Sequence, residues 1–506
     1  MDRRTGRLLQ RARILSQIIF TVLFFLLLVR SGGGDAARLP WAGLFFYFDP
    51  LFLWVSLLAG PFLRIFLLAL APLLLTLLLG RFFCGWICPL GAMNQFFTWL
   101  GARRGQRRMP VARKPLRLKY LLLAALLVAS LFTVQLLGWI DPFSLLTRSA
   151  ATVILPGANA LLQQALLAGP EPLYELGRRV LLTVTQRSFL QAAGIGVIFL
   201  GLLLLNLHRR RFFCNYLCPL GALYGLLGRW SLLRLAINDK CRSCNACAAH
   251  CTYYGSPFKD YLKSECVLCF NCVSDCPEAA IDLRFGLPVS GRRPALDLGR
   301  RRLLGASAVG LAAAALPLIA PARSARTHSF LRPPGAVGEK EFLEKCIRCG
   351  ACLQACPTNA LQPAVFQAGL EGVWTPVLVP TSGYCEYECH RCTQVCPTHA
   401  LARLTLEEKK QFKIGTAVID RSACYTYADG YNCAVCEEHC PVPEKAIRFR
   451  EVEVHDFRGR LRRVRQIYVV PDLCIGCGIC ESVCPRSDIP AIRVGAEEEQ
   501  REIPYG

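Results

Sequence analysis

Cysteine spacing decides more about this chain than its length does. Of 28 cysteines in 506 residues, all but Cys84, Cys88, Cys214 and Cys218 fall into six groups of four. The regular form is C-x-x-C-x-x-C-x-x-x-C, and in all but the first group the last cysteine is followed by proline. Three thiolates at this interval cap one face of a cube of iron and sulfide, while the fourth, displaced by a turn, reaches the neighbouring cube. Disulfides would suit a short secreted chain, and four-cysteine zinc sites are the other metal reading. Consecutive groups at ferredoxin spacing favour iron and sulfide over both.

Two groups stand together in mid-chain. Their spacing assigns Cys241, Cys244 and Cys247 with Cys276 to one [4Fe-4S] cluster, and Cys266, Cys269 and Cys272 with Cys251 to another. Four more groups follow Glu339. The first and fourth are regular, and the second and third have stretched first intervals, an order that suggests nested pairing. On that expectation Cys484 completes the site of Cys346, Cys349 and Cys352, and Cys356 that of Cys474, Cys477 and Cys480. Likewise Cys440 joins Cys385, Cys389 and Cys392, and Cys396 joins Cys424, Cys433 and Cys436. The total is six cubes, about 24 irons at four per cube.

With 53% hydrophobic residues, the chain is too apolar for a purely soluble protein. Apolar runs cover Ile14 to Val29, Phe52 to Leu79, Tyr120 to Trp139 and Leu190 to Leu207, each near the roughly 20 helical residues that a bilayer requires. A fifth run, Leu303 to Ala320, is Ala- and Gly-rich and follows Arg300, Arg301 and Arg302. The net charge of +23 would suggest nucleic acid if it formed a stripe, but the basic residues cluster beside the apolar runs, so no nucleic-acid partner is expected. They lie at the N-terminus, between Arg81 and Lys119, at His208 to Arg211 and at Arg300 to Arg302. Ser31 to Pro50 and Ile140 to Gln186 are mixed in sign. Basic flanks stay in the cytoplasm, which puts the N-terminus and the Cys241–Cys276 segment inside and everything after Ala320 outside.

The membrane half contains a repeat, RFFCGWICPLGA at Arg81 to Ala92 and RFFCNYLCPLGA at Arg211 to Ala222, each copy at the cytoplasmic end of an apolar run. Cys84, Cys88, Cys214 and Cys218 converge if the copies face each other, forming a site for a metal or cluster, a thiol/disulfide pair, or four packed small side chains. Haem is not expected. His208 is the only histidine in this half, and Cys385 to His390 reads C-x-x-x-C-H, one residue longer than the c-type attachment spacing. Short alternating stretches at Lys413 to Asp420 and Arg465 to Val470 read as hairpin strands.

These motifs resemble a pair of known families. To about residue 290 the chain is similar to the NapH/MauN type of membrane ferredoxin subunit, by its four apolar runs, its C-x-x-x-C-P motifs at Cys84 and Cys214, and its two cytoplasmic quartets. From about Arg300 it resembles the NapG/MauM type, a four-cluster periplasmic ferredoxin. Arg301, Arg302, Leu303 and Leu304 in GRRRLLGAS stand where that type carries a twin-arginine signal, without the usual preceding Ser/Thr and following Phe.

The expected fold is an α-helical membrane bundle plus α+β bacterial-type ferredoxin domains, a polyferredoxin. Its domains are a membrane domain at 1–237, a cytoplasmic two-cluster domain at 238–290, a fifth span or twin-arginine-like signal at 300–322, and a periplasmic four-cluster domain at 339–506. The resemblance implies a quinol dehydrogenase module in the bacterial inner membrane. Such a module takes electrons from the membrane quinone pool, with quinol as substrate, and passes them to a periplasmic reductase or electron-carrier subunit, most often a nitrate reductase. A membrane ferredoxin that assembles or regulates another metalloenzyme by reducing a metal or thiol is the alternative, and a scaffold that recruits a reductase is a third reading.

Overall fold

The computed structural model describes residues 1–32, 43–59, 64–103, 114–169, 187–255, 262–286, 298–319, 330–455, 461–486, 489–496 and 499–500. It forms two compact units. The first comprises Met1–Val29, Trp41–Thr147 and Gly194–Leu316, and the second Arg30–Pro40, Arg148–Ala193 and Pro317–Gly506.

In the first unit, helix Arg3–Ser31 begins against the mid-chain cysteine segment. Arg3 donates to the carbonyl of Cys276 at 2.8 Å, and Gln10 to the hydroxyl of Ser274 at 2.8 Å. Each copy of the repeat folds alike, as a one-turn helix (Phe82–Trp86, Phe212–Tyr216) followed by a longer one that starts at the proline of C-P (Pro89–Arg103, Pro219–Gly228). Proline suits a first helical position, where its missing N–H is not needed. The two mid-chain groups lie between antiparallel strands Leu233–Ile237 and Ile281–Phe285, with Leu235 opposite Leu283. Helix Arg300–Ile319 passes so close to helix Arg117–Leu131 that only a glycine fits at Gly310, against the carbonyl of Ala125 and the side chain of Val128.

The second unit carries the four later groups. Strands stand at both expected stretches: Leu461–Val469 pairs with the neighbouring Ile447–His455, whereas Thr416–Ile419 pairs with the distant Ile492–Gly495 and so is not a hairpin strand.

The apolar runs are divided differently from the sequence expectation. Among the described residues two helices are long and apolar enough to cross a bilayer, Arg3–Ser31 and Pro142–Leu167. Phe52 to Leu79 is split into Pro50–Leu58, a 3-10 turn at Arg64–Ala69 and Leu70–Leu79, with residues 60–63 outside the described set. Helix Arg117–Leu131 stops at Phe132 because Thr133 is left-handed, with φ 66°. Leu190 to Leu207 is a shorter helix, Ala192–His208.

Pro142–Leu167 lies within the mixed-charge stretch Ile140 to Gln186, outside the five apolar runs. Those charges are absorbed locally: Asp141 accepts the N–H of Phe143 and of Ser144 at 2.9 and 2.8 Å, and Arg148 stacks on an aromatic ring. A π-turn at Ala150–Ile154 precedes Pro156, whose ring and missing N–H break regular helix geometry. Arg104, Arg107, Arg108 and Arg113 of the basic stretch, and residues 170–186 and 320–329, lie outside the described residues.

Candidate iron-sulfur centres

The four regular groups share one backbone shape. The residues on either side of the second cysteine are left-handed in each: Ser243 and Asn245 (φ 54° and 58°), Leu268 and Phe270 (51° and 59°), Arg348 and Gly350 (54° and 75°), Gly476 and Gly478 (71° and 81°). Alternating right- and left-handed residues turn consecutive N–H groups to one side, a nest that holds anions and is recurrent around iron-sulfur clusters. Three Cys-Pro turns also share a left-handed residue followed by alanine, at Ala279, Asn359 and His399. Further N–H groups donate to ligand thiols, Ala280 to Cys276 at 3.3 Å, Gly255 to Cys251 at 3.2 Å and Ala417 to Cys474 at 3.4 Å. None of these cysteines is joined in a disulfide. Burial raises the thiol pKa at Cys352, Cys392 and Cys480, and neighbouring thiols raise it further. Sites of this kind hold a proton until a bound cation displaces it, which suits a metal cluster. Among the described residues no group of three His, Cys, Asp or Glu is gathered to hold a single metal ion.

Proximity of the thiols reports the ligand sets. In mid-chain, Cys241, Cys244, Cys247 and Cys276 line one recess of about 380 Å³ of empty space. Cys251 is pushed up to about 12 by burial and by the charges of Cys269 and Cys266.

The outer groups do not nest. Cys346, Cys349 and Cys352 all feel Cys396. Cys385, Cys389 and Cys392 all feel Cys356. Cys436, pushed up to about 12 by burial and then by Cys433, has Cys424 and Cys484 near it. Cys440, Cys474, Cys477 and Cys480 line a second recess of about 340 Å³. Cys484 therefore does not complete the Cys346 site, nor Cys356 the Cys474 site, nor Cys440 the Cys385 site, nor Cys396 the Cys424 site.

The reason is local packing. Helix Ala351–Ala355 lies against Arg391–Gln394, and Val435–Glu438 against Ile479–Ser482, so successive groups exchange their fourth cysteines. The stretched first intervals are insertions within each pair and do not label partners. Cys385 donates its N–H to the carbonyl of Cys477 at 2.8 Å, which joins the two pairs. The four sets thus stand in the order Cys346, Cys385, Cys474, Cys424.

Arginines surround the first outer set. Arg148 stacks 4.1 Å from the Trp374 ring centroid and donates to the carbonyl of Arg348 at 3.0 Å. At Gly350 a Cβ would sit 3.4 Å from the Cα of Arg148. Arg348 is itself buried and donates to the carbonyls of Cys346 and Glu371.

The four thiols of the repeat lie near one another. Cys84, Cys88, Cys214 and Cys218 are all buried, and each of Cys88, Cys214 and Cys218 feels others of the four. Cys88 and Cys218 stand at equivalent helix starts and accept the N–H of Gly91 at 3.4 Å and of Gly221 at 3.2 Å.

Sequence reasoning concentrated on the cysteines and passed over the arginine that opens each copy. Arg81 donates to Glu265 at 2.6 Å, and Lys119 and Tyr120 bind the same carboxylate. Burial alone would raise the pKa of Glu265, but Lys119 and Arg81 hold it below the usual carboxylate range. Arg211, the equivalent residue, donates to Tyr253 and Gln95. Each copy is therefore tied by its arginine to the segment holding Cys251 and Cys266. A second buried group, Asp49 with Asp141, places two carboxyls near each other and near Tyr224, and no motif marked it.

Sequence profiles match several of these segments. A 4Fe-4S binding domain profile matches residues 61–108 and 191–238, another 342–362, and a 4Fe-4S dicluster domain profile 430–487. The chain is 38% identical over 201 residues to the ferredoxin-type protein NapG of Escherichia coli (strain K12), covering 39% of this chain and 85% of that protein. The chain belongs to the NapG/MauM ferredoxin family. The methylamine utilization ferredoxin-type protein MauM of Methylorubrum extorquens is 35% identical over 192 residues, 37% of this polyferredoxin and 84% of MauM. The ferredoxin-type protein NapH of Haemophilus influenzae is 30% identical over 223 residues, 42% of the polyferredoxin and 64% of NapH. Both kinds of relative make the chain a NapH/NapG-like polyferredoxin. No solved structure matches it.

Proposed function

We propose that this polyferredoxin is the membrane-bound electron-transfer part of a quinol dehydrogenase, drawing on the membrane quinone pool and passing electrons to a periplasmic reductase, of which a nitrate reductase is the leading example. The observation that carries the reading is the linear order of the four outer sets. In this reading Cys346, Cys349, Cys352 and Cys396 hold the first cube, Cys385, Cys389, Cys392 and Cys356 the second, Cys474, Cys477, Cys480 and Cys440 the third, and Cys424, Cys433, Cys436 and Cys484 the fourth. The mid-chain sets hold two more. Such cubes supply one-electron transfer, and the chain's own residues set where each electron rests through N–H groups, burial and fixed charge.

Electrons enter the outer series at the Cys346 set, beside Arg148. That arginine lies on Pro142–Leu167, a helix long and apolar enough to cross a bilayer, which supports a quinol site close by. Exposed Leu15, Ile19, Val22, Leu74, Val197 and Leu204 support burial of the helices in lipid. The N-terminus and the two-cube segment lie in the cytoplasm of the inner-membrane protein, and the four-cube region in the periplasm.

The test is a pair of variants assayed for quinol-dependent reduction of the partner. Cys346→Ser is expected to abolish it and Cys241→Ser to leave at least part. Loss of all transfer in Cys241→Ser alone would place the quinol electrons on the inner cubes first and overturn the reading. A protein that assembles another metalloenzyme need not oxidise quinol at all.

A further inference from the structure

We infer that the two C-x-x-x-C-P copies build one shared redox centre, a seventh iron-sulfur cluster held by Cys84, Cys88, Cys214 and Cys218. The profile match describes each copy separately as 4Fe-4S binding, whereas in the fold the two sets of thiols come together. The inference goes beyond the six-cube reading and shares with it only the premise that the chain is loaded with iron and sulfide.

Charge carries the argument. Arg81, Lys119 and Arg211 are each at most 1% exposed, and all three act on Cys214. Among the described residues, the carboxylate they meet is that of Glu265, which binds Arg81 and Lys119, while the guanidinium of Arg211 donates to the neutral Tyr253 and Gln95. Asp49 and Asp141 also act on Cys84 and Cys88, and their carboxylates accept the N–H groups of Leu51, Phe143 and Ser144. Among the described residues, the three buried cations that act on Cys214 are thus met by one bound carboxylate. Excess buried charge is costly unless it is paired.

An oxidised [4Fe-4S] core with four thiolates is a dianion, and it supplies the missing negative charge. Two details aim the surroundings at that anion. The Nη2 of Arg81 is buried without a hydrogen-bond partner and lies 2.9 Å from where a Cβ on Gly221 would be, with the sulfur of Cys218 3.4 Å from that same point. The N–H groups of Gly91 and Gly221 point at Cys88 and Cys218 from the starts of helices of 15 and 10 residues.

Position gives the centre a role. A Cβ at Gly85 would press on the carbonyl of Val267 at 2.5 Å, and the indole N–H of Trp86 donates to the carbonyl of Leu268 at 3.2 Å, so the first copy touches the loop of Cys266 and Cys269. Arg211 acts on both Cys214 and Cys269. The centre exchanges one electron with the Cys266 cube, one being oxidised as the other is reduced, and extends the inner pair into the helices.

Anaerobic iron and sulfide analysis with Mössbauer spectroscopy of the full chain tests this. Wild type should hold about 28 irons and the Cys84→Ala/Cys214→Ala variant about 24, at four per cube, with one spectral component gone and quinol reduction of the outer cubes retained. Arg211→Gln should keep the iron and lower the midpoint potential of that component alone. Wild type at about 24 irons overturns the inference whether or not the variant folds, as does a double variant with an unchanged spectrum. Either result leaves the quinol reading standing, because that is scored by a separate reduction assay.

Discussion

The inner Cys241 group and the outer Cys346 group use the same left-handed loop, yet they meet different surroundings. Cys244 is exposed, with Cys241 and Cys247 half-buried, whereas Cys346, Cys349, Cys352 and Cys356 are all buried, and Arg148 and Arg348 lie over the outer loop. Cluster potentials respond to solvent, hydrogen bonds and net charge. The same loop is therefore open to water in one place and covered by arginines in the other. Spacing determines that a cluster can be held, and residues distant in sequence determine its potential.

Iron loss in double variants breaks or sharpens that comparison most strongly. If Cys346 and Cys396 serve one outer cube, the Cys346→Ser/Cys396→Ser variant should lose about four irons, no more than either single change. Cys346→Ser/Cys484→Ser should lose about eight, because it touches two cubes. Nested partners would reverse the two results.

The next effect concerns the inner unit alone. Glu265→Gln leaves Arg81 and Lys119 buried without their anion, and breaking such a pair costs about 3–5 kcal/mol. Thermal unfolding of the detergent-solubilised protein should show a first transition at markedly lower temperature, with the outer unit's transition in place. An unchanged first transition would mean that water or thiolates already neutralise the two cations.

Much of this was legible in the amino-acid sequence, and the rest was hidden for physical reasons. The quartets are readable because ligand spacing is a local property, and so are strands Thr416–Ile419 and Leu461–Val469, because alternation is local too. Fourth-ligand exchange depends on which short helices lie side by side, and the irregular intervals of the second and third groups misdirected it. Helix Pro142–Leu167 was masked by Asp141 and Arg148, charges that read as solvent-facing until one is seen capping the helix and the other stacked on Trp374. Arg81 and Arg211 were visible as the first letter of both repeat copies. Their partners Glu265 and Tyr253 lie far along the chain and carry no motif.

A smaller shift is expected at the outer end. Arg148→Gln removes a fixed positive charge beside the Cys346 set and should lower that cube's midpoint potential by roughly 60 mV, a tenfold change in a one-electron equilibrium, leaving the inner cubes unmoved. EPR-monitored redox titration reads it. An equal shift in all cubes would show that the substitution acts through the whole fold instead.

The smallest effect is one of pH. His399, in the turn after Cys396-Pro397, is pulled down to about 4 by burial and then by Arg403 and Lys345. The folded state keeps it neutral while the unfolded chain takes a proton near pH 6.5. Its contribution is complete above that value and is lost as pH falls toward 4, on the order of 1–2 kcal/mol for a partly exposed ring. His399→Gln should flatten the outer unit's stability between pH 6.5 and 4 relative to wild type, and identical profiles would remove His399 from the account.

The central claim is that quinol is the electron source. Purified, cluster-loaded protein is mixed anaerobically with a reduced short-chain quinol analogue, and cluster reduction is followed by visible bleaching and EPR. Reduction of the outer cubes by the quinol, blocked by a quinone-site inhibitor, is the predicted result. Clusters that dithionite reduces but quinol leaves oxidised, at potentials where transfer is downhill, would contradict it.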